Sequence, residues 1–175
     1  MKKISICFCV FSILCVFLMT GCDDENLSPK EYASALVTSY DDYCEEFDLI
    51  SQALSKGQNV TAQKLCDEAS GMLDDIKELK APKKLSDEQD SLKKICDNEK
   101  EKISLQKEML EIISDGTENI TDEQKTRIDE IKEELSVLSV QSDQFEKLVY
   151  SLADKYLEKK EKEHVNLLDQ SYAEE

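Results

Sequence analysis

The sequence predicts an all-α protein, an antiparallel up-down-up-down four-helix bundle that follows a cleaved leader. Three observations carry this expectation. Helix breakers are scarce, with 4 glycines and 2 prolines in 175 residues, while Glu, Lys, Leu and Ser abound. Beyond the leader, apolar side chains recur at three- and four-residue intervals in four separate runs, and no alternating run is long enough for a strand. Connections of four to six residues separate the runs, which makes successive helices antiparallel neighbours.

The first element stands apart from the bundle. Lys2 and Lys3 precede an apolar run of 16 residues from Ile4 to Met19. Thr20 and Gly21 follow, then Cys22, and Asp23-Asp24-Glu25 end the apolar character abruptly. A charged start, a short apolar stretch and small residues before a cut are the layout of a secretory signal over residues 1–21. The run is shorter than the roughly 20 residues of a spanning helix and contains Ser5 and Ser12, which argues against an uncleaved transmembrane anchor. A plain secreted chain would want a small residue three places before the cut, where Met19 stands.

Leu18-Met19-Thr20-Gly21-Cys22 resembles the signal of bacterial lipoproteins. The resemblance covers residues 1–22 alone. It implies cleavage before Cys22, a diacylglyceryl group on the Cys22 sulfur, acyl chains of the palmitate kind and an N-acyl group on the freed amine. It also implies a protein held on the extracytoplasmic side of the bacterial cell membrane. Two acyl chains give stable anchoring where one gives only marginal binding. Residues 22–27 would be the lipidated cysteine and a short acidic linker.

The bundle is expected over residues 28–157. The first helix, 29–56, has a complete start signal: Ser28 as N-cap, Pro29 at the first position and Glu31 closing a capping box. Leu27 and Tyr32 are spaced as a hydrophobic staple. Its seam runs Ala33, Leu36, Tyr40, Tyr43, Phe47, Ile50, Leu54 and ends near Gly57.

The second helix, 62–80, is expected to start at Thr61, with Val60 and Leu65 as its staple, and to stop before Pro82. The third, 87–114, is expected to start at Ser86, with Gln89 completing a capping box. Glu99 and Gln106 fall on its apolar seam, so that face is either less buried in mid-helix or has its polar side chains reaching the rim. The fourth helix, 122–157, starts at Thr121 with Gln124 closing a capping box. It carries the strongest seam: Ile128, Ile131, Leu135, Leu138, Phe145, Val149, Leu152 and Tyr156, interrupted by Ser142. Residues 158–175 form a charged tail. Its Val165, Leu167, Leu168 and Tyr172 are either a fraying segment that folds back or a short partner motif.

Charge narrows the partners. Cleavage would remove two of the 22 basic residues and none of the 39 acidic ones, taking the net charge from −17 to −19. Such a surface repels nucleic acids and anionic lipid headgroups. It could attract cationic peptides or divalent cations, or simply keep the protein soluble.

Seven cysteines reduce to three in the bundle once the leader is cut and Cys22 is lipidated: Cys44, Cys66 and Cys96. None is in a C-x-x-C pair, which weakens redox and zinc readings. Each lies on or beside an apolar stripe, so buried thiols are the default. Folding the first three helices about residues 58 and 84 brings Cys44 and Cys96 to one layer. If one internal bridge forms, it joins those two.

Catalytic patterns are weak. His164 is the single histidine, and Glu161-x-x-His164 is one copy of a spacing that di-iron bundles need on two helices. Acidic neighbours such as Glu133-Glu134 point apart on a helix, and no calcium loop occurs. Neither an enzyme nor a cofactor is expected. The leading expectation is a lipid-anchored module that binds or scaffolds an envelope or extracellular protein. The alternative is a small-molecule or cation receptor with a groove near Tyr40, Tyr43 and Phe47, residues that on a helical seam are more often core.

Overall fold

The computed structural model describes residues 27–114, 120–139 and 143–158. They form five α-helices: α1 Pro29–Ser55, α2 Asn59–Glu78, α3 Ser86–Ser114, α4 Asp122–Ser139 and α5 Asp143–Tyr156. A 3-10 turn at Lys83–Leu85 leads into α3, and no strand occurs among the described residues. The protein is all-α. The leader, Cys22, most of the linker and the tail with His164 lie outside the described residues.

Helix α1 begins as its sequence dictates. The Ser28 amide donates to Glu31 Oε2 at 2.9 Å and the Glu31 amide to Ser28 Oγ at 3.3 Å. That pair satisfies two backbone donors that would otherwise be orphaned at the helix start. Leu27 packs against the core cluster to which the fully buried Tyr32 belongs.

Two starts differ from expectation. Helix α2 opens at Asn59, its N-cap Gln58 makes no side-chain capping bond, and Val60 is 80% exposed instead of stapling Leu65. Gly57 reverses the chain at φ 67°, a conformation open to glycine, so the helix resumes earlier than Thr61. Gln89 does not cap α3. It is buried, accepts from the Tyr32 hydroxyl at 2.6 Å and donates to the Lys77 carbonyl at 3.0 Å.

Helix α1 packs on α2 and α5, α2 on α3, and α3 on α4 and α5. Between α2 and α3 three lysine–aspartate pairs form a ladder. Lys77 meets Asp97, Lys100 meets Asp74 at 2.6 Å, and Lys107 meets Asp67 at 2.6 Å. Numbers rise on one helix as they fall on the other, so these two run antiparallel. Exposed ion pairs contribute little stability each; their work here is register.

The fourth seam gives a further difference. Two helices stand where the sequence predicts one over 122–157, and residues 140–142 between them lie outside the described residues. On α5 the seam is buried through Phe145, Val149 and Leu152. On α4 only Ile131 is, while Ile128, Leu135 and Leu138 are half-buried and Val137 is 62% exposed. Helix α4 packs chiefly on α3, so it has one neighbour where α5 has two.

Candidate functional site

The aromatic residues of α1 do converge, together with a partner on another helix. Phe145 of α5 meets the Tyr40 ring edge-on at 4.8 Å and the Tyr43 ring at 5.9 Å; Tyr43 and Phe47 are 6.2 Å apart. Phe145 occupies the space beside both tyrosines, so this is core packing of the kind edge-to-face rings favour. Phe47 lies at its border. With Ile50, Leu54, Cys66, Met109 and Leu110 it lines a recess of about 120 Å³ among α1, α2 and α3. Gln106 and Ser51 contribute the polar part of that lining, and Gln106 Oε1 is buried without a hydrogen-bond partner.

A polar layer crosses the core at Tyr43. Glu99, 6% exposed, accepts from the Tyr43 hydroxyl at 3.3 Å and from Lys102 Nζ at 2.8 and 3.1 Å. The seam position that could have reached the rim is therefore buried and paired. Burial, joined by the negative field of Glu99, raises the Tyr43 pKa above its ordinary value. The hydroxyl stays protonated and remains a donor.

Cys44, Cys66 and Cys96 are free thiols, so the Cys44–Cys96 bridge expected from folding the helices about residues 58 and 84 is not formed in this structure. Burial pushes the Cys44 thiol up to about 11 and the Cys96 thiol up to about 12. Both are protonated at neutral pH, which is the opposite of an activated nucleophile. Among the described residues no three metal-capable side chains cluster.

Glu46 has a less settled environment. It is 9% exposed, its Oε1 has no hydrogen-bond partner, and Glu68 on α2 faces it while Lys64 partly compensates. Burial first, then the like charge of Glu68, raises its pKa. A carboxyl raised by folding supports the native state at low pH and costs stability as pH rises through its folded value. Glu46→Leu is therefore expected to stabilise the protein by about 1–2 kcal/mol at neutral pH. Urea unfolding should show the gain shrinking in acid, where wild-type Glu46 is already neutral; an equal gain at both pH values would contradict this origin.

One site has no counterpart in the sequence expectations. Residues 79–85 join α2 to α3 and carry Lys80, Lys83 and Lys84 without an acidic residue, in a chain that holds 39. Lys77, Lys80, Lys83 and Lys93 line an open cleft of about 330 Å³, which also includes Glu78 and Asp90. Gln89, fixed by Tyr32 and the Lys77 carbonyl, lies against it. Lys84 stacks over the Tyr156 ring at 5.1 Å. The signal was local charge, which the strongly negative total hides.

No protein-family model, curated protein or solved structure matches the chain.

Proposed function

We propose that this chain is a lipid-anchored, extracytoplasmic protein-binding module without enzymatic activity. Its helices would form an up-down-up-down bundle, with α4 and α5 together supplying the fourth arm. The observation that carries the reading is Leu18-Met19-Thr20-Gly21-Cys22, a lipoprotein-like cleavage box after a short apolar leader and before three acids. The α2–α3 ladder supports the bundle order. So do the contacts of α1 with α3, which advance in one direction from Tyr32–Gln89 to Tyr43–Glu99 as next-but-one helices would. Among the described residues no helix is long and apolar enough to cross a membrane.

Mass spectrometry of the membrane fraction should find a diacylated Cys22 as the mature N-terminus. Cys22→Ser should retain the leader and lose the acyl mass. An unmodified N-terminus downstream of Cys22 would exclude the anchor. Cross-linking on intact cells should then recover a reproducible envelope or extracellular protein with the affinity-purified chain.

A second reading, a small-molecule receptor, draws on the recess beside Phe47 and the orphaned Gln106 acceptor. A ligand that raises Tm in proportion to its concentration, with no protein partner recovered, would favour it.

A further inference from the structure

We infer that the lysine-bearing turn between α2 and α3 is a foot that rests on anionic lipid headgroups of the membrane holding the protein. The inference builds on the lipid-anchor reading and adds a surface and an orientation to it. The Leu27 amide donates to the Lys80 carbonyl at 3.3 Å, so the leash leaves the bundle beside this turn. Cys22 is five residues before Leu27, and a fully extended leash spans less than about 18 Å. The turn is therefore held close to the bilayer surface. The opposite end of α1, 27 residues away, lies roughly 40 Å further out.

The turn gathers lysines locally, with Glu78 and Asp90 in the same cleft and Asp87 and Glu88 in the first turn of α3 beside it. Lys80, Lys83 and Lys84 are exposed, and Lys83 and Lys80 share the open cleft with Lys77 and Lys93. A phosphate headgroup is complementary to such a cleft, and the attraction operates within about 8 Å at physiological ionic strength. Net charge alone predicts repulsion from anionic lipid. Screening changes the balance: beyond a Debye length the acidic flanks are muted, while a leash shorter than about 18 Å lets the turn approach to within that distance. Three lysines are too few to recruit a protein from solution, but the acyl chains already supply residence, so the turn need only orient the bundle. The leash itself carries Asp23, Asp24 and Glu25, so neutralisation of the turn by the leash is the outcome that the test must exclude.

The test uses the full chain with its lipid, reconstituted in phosphatidylcholine vesicles with or without phosphatidylglycerol. Exposed lysines are acylated by a water-soluble reagent and read by peptide mass spectrometry. Lys80, Lys83 and Lys84 should label about threefold more slowly, or slower still, on the anionic vesicles at low salt, with the difference vanishing at high salt. Lys56 and Lys132, both exposed and away from the turn, should label equally on the two surfaces. Equal labelling of the turn lysines on both vesicles, with the protein anchored, overturns this inference alone and would indicate neutralisation by the linker. A chain that fails to partition into either vesicle and lacks acyl groups overturns the anchor and the foot together.

Discussion

Lys102→Met is expected to lower the unfolding free energy by about 3 kcal/mol. Lys102 and Glu99 form an ion pair at 2.8 Å whose side chains are 12% and 8% exposed. Removing the cation leaves a carboxylate inside the core with the Tyr43 hydroxyl as its remaining described donor from α1. An uncompensated buried charge costs far more than the pair gains, because desolvation of the carboxylate persists after the attraction has gone. Replacing both residues, Glu99→Leu with Lys102→Met, should recover most of the loss, because neither charge is then desolvated. Tyr43 would lose its acceptor and account for the remainder, about 1 kcal/mol. Urea denaturation of the two variants decides the matter. A double variant as unstable as the single one would mean that the layer stabilises through shape rather than charge.

Leu73→Ala should cost about 3–4 kcal/mol, and Leu135→Ala less than about 1 kcal/mol. Leu73 lies on α2, is fully buried and belongs to the main core with Leu36, Leu92 and Phe145. Truncation there removes transfer free energy and opens a cavity that close-packed neighbours cannot fill. Leu135 sits in the best apolar run of the sequence, yet it is half-buried on a helix with one principal neighbour. Little area leaves water there on folding, so little is lost. For a domain whose whole stability is on the order of 5–15 kcal/mol, the first substitution endangers folding and the second does not. Equal losses by thermal or urea unfolding would mean that α4 is covered as completely as α5.

Much of the site geometry was hidden for one recurring reason. Tyr40 and Tyr43 were legible as a cluster because they share a stripe at helical spacing. Phe145, which packs against both, is about a hundred positions away in the sequence, and periodicity carries no information on which stripe meets which. Gln89 was misread for a related cause. A glutamine three residues after a serine matches a capping box, but its amide has a better use when Tyr32 presents a hydroxyl from α1. The lysine turn was visible as a string of residues, and its meaning came only when the Leu27–Lys80 hydrogen bond placed the leash beside it.

Local chemistry, then, determined what is local. The all-α class, the capped starts at Ser28 and Thr121 and most of the first seam, though not its exposed end at Leu54, follow from spacing and side-chain hydrogen bonding within a few residues. Three-dimensional packing alone decided that Glu99 is buried and paired, that the fourth seam is covered on α5 and half-open on α4, and that the cationic turn shares an end with the leash. Burial is a property of what lies opposite, and an apolar stripe specifies that it needs cover without specifying how much it receives.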